Sequence, residues 1–201
     1  MNDKDNAGLD EHDRRRYLRV IDQVILMCSP ANPDDLNRIE SRIDQPMDAY
    51  DLSAQLELMN QESRILLRRV EKIEPILGEY LDLLERKIAA LSGFLLDQES
   101  ERLEQQPQTV SLSASGLGFY SECPRESGDV LELRLILLPE RIGLHLYGRV
   151  ITSELTSTRE HPPYHLAVDF MGISDHDREI LIAHLIRVER LQLRQEYQCS
   201  T

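Results

Sequence analysis

Apolar and polar positions divide the 201-residue chain into segments of different texture. Apolar residues are dense over residues 17–27, which predicts one strand, and the Ser-Pro-Ala-Asn-Pro stretch at residues 29–33 breaks it. Residues 34–104 contain only two glycines, and their pattern predicts helix nearly throughout. From residue 105 onward the pattern changes to short β-rich runs separated by Gly, Pro and Ser.

The β-rich segment predicts antiparallel strands linked by hairpins. Leucine occupies every second position from Leu131 to Leu137, which is typical of a strand with one buried face. Short strands in this number are typical of a small barrel or sandwich. A final helix follows, with Ser174 as its N-cap and Asp177 three residues later. The predicted strands are residues 109–112, 118–121, 130–138, 144–154 and 164–170, and the apolar stripe of the final helix is Ile180, Leu181, His184, Leu185, Val188 and Leu191.

Apolar residues in the middle segment repeat in steps of four and three. Of thirteen core positions from Leu52 to Phe94, eleven are apolar or Tyr. A 3.5-residue period sustained over about six heptads predicts a coiled coil, and the alternative is a single amphipathic helix, whose period lies nearer 3.6. The residues predicted to hold copies of the chain together are Leu66, Val70, Ile73, Leu77, Tyr80, Leu84 and Leu91.

The apolar face of this segment widens beyond Pro75, where flanking positions are also apolar. A dimer usually keeps those flanks charged, so we expect a larger homo-oligomer, with a tetramer favoured. Pro75 itself either kinks one long helix or begins a second helix, which would make the segment a helical hairpin. The heptad register continues across Pro75 and favours the kink.

Amino-acid composition narrows the range of possible partners and cellular locations. The chain has 23 Lys+Arg and 36 Asp+Glu, a net charge of −13, which argues against nucleic-acid partners and anionic membrane surfaces. No apolar run is long enough to span a membrane. The first 13 residues are polar and acidic, unlike a signal peptide, and the three cysteines lie far apart, as free thiols do in a reducing compartment. We therefore expect a cytoplasmic, bacterial-type protein without a structural metal.

No sequence motif of a hydrolase, metalloprotease or nucleotide-dependent enzyme occurs, so we expect a protein that is not an enzyme and has no cofactor. The histidines are interpreted as surface or strand residues rather than metal ligands; they include His161, His165, His176 and His184.

Two short motifs carry candidate chemistry. Arg14, Arg15, Arg16 and Arg19 follow the acidic leader, and clustered arginines suit phosphate groups and guanine edges. A solubilising charge run is the alternative. The second motif, residues 111–119, joins small hydroxyl residues and two glycines in a turn whose backbone N–H groups could hold a phosphate or a base edge. An ordinary hairpin turn is the alternative there.

Together these motifs resemble the PilZ family. Its signature is RRxxxR before the first strand and [DN]xSxxG in a turn between later strands. Arg14, Arg15 and Arg19 match the first motif, while Ser113 and Gly116 match the second and Ser111 replaces its Asp or Asn. The resemblance covers about residues 14–27 and 109–194, and the helical segment between the motifs looks like the atypical, tetrameric branch of the family.

The resemblance implies an α+β fold: a six-stranded antiparallel β-barrel with a helical coiled-coil insertion and a C-terminal helix. Its domains would be residues 1–30, the arginine arm and first strand; residues 31–106, the insertion; and residues 107–201, the rest of the barrel and the final helix.

The resemblance also implies a receptor for cyclic di-GMP that acts on a downstream protein when the ligand closes the arginine arm on the barrel. Arg14 and Arg15 would contact phosphates and guanine, and Arg19 would add a third guanidinium. Ser113, Gly116 and Gly118 would shape the guanine-facing turn. Ser111 offers a shorter, neutral acceptor, which lowers the expected affinity. The alternative is a ligand-independent interaction scaffold.

Overall fold

The computed structural model describes residues 18–31, 48–102, 106–156 and 162–199. Six strands and three helices form in these ranges. In chain order they are β1 (Arg19–Pro30), α1 (Ala49–Ile73), α2 (Pro75–Arg102), β2 (Pro107–Ser113), β3 (Gly116–Ser121), β4 (Val130–Leu137), β5 (Ile142–Leu155), β6 (Tyr164–Met171) and α3 (Asp175–Cys199).

The six strands close into one antiparallel barrel in the order β1-β2-β3-β6-β5-β4. The alternating leucines of β4 point inward and are fully buried, as their period of two predicts. They meet inward residues of β2, β3, β5 and β6 in a single hydrophobic core. The predicted α+β fold with a six-stranded antiparallel barrel is therefore confirmed.

The first strand ends three residues later than its sequence pattern predicts. β1 pairs with both β2 and β4, and its pairing with β4 extends from Val24 to Pro30. The predicted breaker at residues 29–33 thus overlaps the end of β1. Pro30 is tolerated there because a strand terminus can do without the missing N–H.

The predicted kink at Pro75 is wrong, and the alternative of a helical hairpin is correct. Glu74 leaves the helical region, with φ −138° and ψ 86°, as a residue before proline tends to do. Pro75 then begins α2, where its missing N–H would have had no partner within the helix. Ser63 Oγ on α1 donates to Glu85 Oε1 on α2 at 2.5 Å, which shows that the two helices run side by side.

Gly78 lets the two helices approach closely beside the turn. A Cβ at this position would lie 2.6 Å from Glu71 Cγ and 2.9 Å from Glu71 Cα. Such distances exclude any side chain, so the sequence places one of its few helical glycines where α1 and α2 come together.

The base of the hairpin packs on the outside of the barrel. Buried Tyr50 and Leu96 contact Ile25 of β1 and Ile136 of β4. Asp48 caps α1 by accepting from the backbone N–H groups of the second and third residues after it, both at 2.9 Å. The hairpin therefore occupies the side of the barrel formed by β1, β4 and β5.

The C-terminal helix packs against the barrel core. Its predicted N-cap is confirmed: Asp177 N donates to Ser174 Oγ at 3.0 Å, and Ser174 Oγ donates to Asp177 Oδ2 at 2.7 Å. Ile180, Leu181 and Leu185 are buried in the same core as the strands. None of the helices in the described ranges combines the length and apolarity required to cross a membrane.

The interpretation of His184 as a surface or strand histidine is wrong. Its side chain lies on α3 and is 1% exposed, with Nε2 2.6 Å from Asp22 Oδ2 on β1. Arg187 Nη2 lies 3.0 Å from Nδ1 of the same ring, and Arg187 Nη1 pairs with Glu140 Oε1 at 2.7 Å. This polar cluster ties α3 to the barrel.

We expect Cys28 to resist alkylation in the folded protein. Burial raises the pKa of its thiol to about 11, and the charge of Arg125 opposes this shift only in part. At pH 8 about one thiol in a thousand would be ionised at that pKa, and the thiolate is the reactive form. Iodoacetamide followed by peptide mass mapping should modify exposed Cys123 at least about tenfold faster than Cys28. In urea the two rates should converge; equal rates in the folded protein would contradict the burial of Cys28.

Candidate functional site

A row of register-aligned residues crosses five strands of the barrel. The strand register aligns Arg19 with Ser113, Ser113 with Gly116, Gly116 with Asp169, and Asp169 with Arg149. Arg19, Asp169 and Arg149 are exposed. The row thus has a guanidinium at each end, and Ser113, Gly116 and the carboxylate of Asp169 lie between them.

The hydroxyl of Ser113 closes the turn between β2 and β3. Its Oγ accepts from Gly116 N at 3.1 Å and lies within hydrogen-bonding distance, 3.1 Å, of Gly116 O. Ser113 is 1% exposed, so this side chain holds the turn in shape rather than facing solvent. Phe170 N also donates to Ser115 O at 2.8 Å, which fixes the turn against β6.

Two glycines leave the outer side of β3 without side chains of its own, and residues of the neighbouring strands bury both. A Cβ at Gly116 would lie 2.5 Å from the carbonyl oxygen of Val168, a backbone atom that cannot move aside. A Cβ at Gly118 would lie 3.4 Å from His165 Nε2 and 3.5 Å from Ser111 Cβ. The two glycines therefore form a shallow floor between taller neighbours.

A second row borders this floor. Ser111 lies opposite Ile21 on one side and Gly118 on the other, and Gly118 lies opposite Ala167. Ser111 is partly exposed and Ile21 is 59% exposed. Small side chains thus continue the floor from β2 to β6, with an apolar residue at its edge.

An aromatic pair closes the end of the face away from the β2–β3 turn. Tyr120 and His165 are register partners on β3 and β6, and their ring centroids lie 5.2 Å apart with the planes at 66°. Tyr120 is 45% exposed, so a flat ring is available at this rim.

The structure brings together most of the predicted ligand residues. Arg19, Ser111, Ser113, Gly116 and Gly118 lie on one outer face of β1, β2 and β3. Arg14 and Arg15 lie outside the described residues. The predicted oligomerisation residues lie on α1 and α2, and the hairpin meets the barrel on its β1, β4 and β5 side.

Sequence reasoning missed three residues of this face, Arg149, His165 and Asp169. None belongs to a short motif, and two of them lie on β6, more than 40 residues beyond the β2–β3 turn. The period of two in residues 164–170 could have shown that residues 165, 167 and 169 share a face. It could not have shown that β6 pairs with β3.

The comparisons with known proteins agree with this architecture. The sequence profile of the PilZ domain family matches residues 85–187, just over half of the chain, and this chain belongs to that family. The match begins within α2, so β1 and the arginine cluster lie outside it. PilZ domains are receptor domains for cyclic di-GMP.

A solved structure from Xanthomonas campestris is similar over nearly the whole chain. It is described as a pathogenic protein with a new tetrameric PilZ domain that self-assembles through an unusual helical bundle. The two share 18% identity, with a TM-score of 0.55, over 89% of this chain and 91% of the other. At this identity the likeness establishes the fold. No curated protein matches the chain.

Proposed function

We propose that this protein is a receptor for cyclic di-GMP that binds on the outer face of β1, β2, β3 and β6. The observation that carries the proposal is the pair of glycines, Gly116 and Gly118, on the same outer face as the exposed guanidinium of Arg19. A flat base can approach backbone closely only where side chains are missing, and a guanidinium suits phosphate oxygens and guanine edges. The function is recognition rather than catalysis.

Arg14 and Arg15 would complete the site as an arm that closes over the ligand. Arg15 precedes Arg19 by four residues, and an extended chain of that length reaches about 13 Å. That reach covers the floor from the start of β1, and two further guanidinium groups would neutralise a dianionic ligand within a chain of net charge −13. Ligand-induced closure would then change the surface offered to a downstream protein in the cytoplasm.

Because Ser111 replaces the Asp or Asn of the family pattern, we expect a receptor with reduced affinity for cyclic di-GMP. The family pattern has Asp or Asn at this position, and a hydrogen bond to a charged group contributes about 1.5–3 kcal/mol. A serine hydroxyl is shorter and neutral, so affinity should fall by roughly one to two decades.

Isothermal titration with cyclic di-GMP tests the receptor proposal. The wild type should release heat on binding, and Arg15→Ala and Arg19→Ala should each weaken binding by about tenfold or more, because each removes a charge-assisted contact. The matched control is Arg68→Ala, an exposed arginine on α1 outside the predicted heptad core. It should bind as the wild type does. Absence of binding by the wild type, or binding that neither arginine change weakens, would remove the receptor proposal.

A ligand-independent scaffold is the second candidate, and Ser111 is the observation that favours it. In that case the barrel would serve as a docking module whatever the cyclic di-GMP concentration. Titration separates the two candidates, because a scaffold gives no heat with the dinucleotide.

We also propose that the hairpin of α1 and α2 assembles copies of the chain, with a tetramer favoured. Large apolar side chains are exposed along both helices of the single chain, more than a monomer ordinarily leaves in water. They are Met59, Ile65, Leu66, Ile73, Ile76, Leu77, Tyr80, Leu83, Ile88, Leu91, Phe94 and Leu95. The Xanthomonas campestris protein is described as assembling through a helical bundle, which supports this use of the hairpin.

A further inference from the structure

β6 places polar side chains against both glycines of β3. A Cβ at Gly116 would lie 3.2 Å from Asp169 Oδ1, and a Cβ at Gly118 would lie 3.4 Å from His165 Nε2. Between these two residues, Ala167 offers only a methyl group on the same face. On the β6 side of the floor there is therefore a carboxylate at one end and an imidazole at the other, with only the methyl group of Ala167 between them.

Asp169 has a carboxylate available for a ligand. It is exposed, and within the described part of the chain it has no hydrogen-bond or ion-pair partner. An ionised carboxylate accepts through two oxygens and cannot donate. Guanine presents N1–H and the 2-amino group side by side as donors, so the two groups are complementary.

The other end of β6, at His165, is suited to stacking against a base. The imidazole of His165 leans over Gly118, and Tyr120 meets it edge to face. Aromatic faces stack on any base, because every base has a π-face. The two ends of the wall therefore differ in what they can distinguish.

We propose that β6 forms the second wall of the nucleotide site, where Asp169 accepts hydrogen bonds from a guanine edge and His165, with Tyr120, supports the base by stacking. This rests on the proposed cyclic di-GMP receptor function. Strands in a sheet lie about 4.8 Å apart, so Arg19 and Asp169, three strands apart, lie about 14 Å from each other across the face. Phosphate and base can therefore be held at opposite sides of one floor.

Isothermal titration with two cyclic dinucleotides tests whether β6 forms the second wall of the site. The first is cyclic di-GMP, and the second is its inosine analogue, cyclic di-IMP, which lacks the 2-amino group. The wild type should prefer cyclic di-GMP by about tenfold, and Asp169→Ala should abolish the preference while it weakens cyclic di-GMP binding. His165→Ala should weaken both ligands by a similar factor, about tenfold, and keep the preference.

The matched control is Glu79→Ala, which removes one exposed carboxylate from α2, far along the chain from β6. It should leave both affinities and the preference unchanged. Circular dichroism and thermal melting of each variant confirm that the barrel is intact.

The failures of the two proposals are distinguishable. A wild type that does not bind cyclic di-GMP removes the receptor function and the wall together. A wild type that binds it without preference over cyclic di-IMP, or Asp169→Ala and His165→Ala variants that bind like the wild type, overturns the wall and leaves the receptor function standing.

Discussion

Replacing Leu66 and Leu91 together by glutamate is expected to convert the assembled protein into monomers. These side chains are 60% and 66% exposed on the single chain, so their removal takes nothing from its core. A leucine buried at an interface contributes about 1.5–3 kcal/mol, and an unpaired carboxylate there is more unfavourable still. Light scattering coupled to gel filtration should show one chain mass, 23.3 kDa, in place of a multiple of it.

The matched control is Arg68→Glu, which changes the net charge by the same two units. Arg68 is exposed and lies two positions from Leu66, where helical side chains do not face the same way. Its mass should stay that of the wild type. A wild type that is already monomeric, or a double variant that keeps the wild-type mass, would contradict assembly through this face.

The strands could be predicted from sequence because their signal is local. β4 alternates partly exposed and buried positions from Val130 to Leu135, the turn before it contains Gly and Pro, and the turn after it contains Pro. The closure of the barrel is not a local property. β1 pairs with β2 and β4, whose residues follow it by more than 80 positions, and nothing within any one strand identifies those partners.

The hairpin shows how a local pattern can favour the wrong structure. The heptad register runs unbroken across Pro75, so its periodicity alone favours one kinked helix. In the structure, the close approach of Gly78 to Glu71 and the hydrogen bond between Ser63 and Glu85 show instead that the chain reverses there. In a single continuous helix these residues would lie too far apart along the axis to make either contact.

The candidate site also contains some residues that local sequence motifs identify and others that only the fold identifies. Arg19 and the glycines of β3 belong to short motifs, so sequence reasoning found them and placed them in one site. Asp169 and His165 reach the same floor only because β6 pairs with β3. Neither residue belongs to a recognisable motif, and only the register of the folded barrel identifies them as part of the site.

Asp22→Ala is expected to lower the free energy of unfolding by about 3 kcal/mol, measured by urea unfolding at fixed protein concentration. His184, a member of the apolar stripe predicted for the final helix, is 1% exposed, and Asp22 Oδ2 lies 2.6 Å from its Nε2. Removing Asp22 leaves a buried ring nitrogen without this partner, while Arg187 still faces the other nitrogen at 3.0 Å. A polar group buried without a hydrogen bond is strongly unfavourable.

Asp22→Asn should retain part of the lost stability, because the amide oxygen can still accept from the imidazole. Glu179→Ala, which removes an exposed carboxylate from α3 itself, should change the free energy of unfolding by no more than about 0.5 kcal/mol. If Asp22→Ala unfolds like this control, the contact between Asp22 and His184 does not hold α3 on the barrel. If it unfolds as expected, a residue 162 positions before its partner stabilises the helix, which explains why the apolar stripe of α3 contains a histidine.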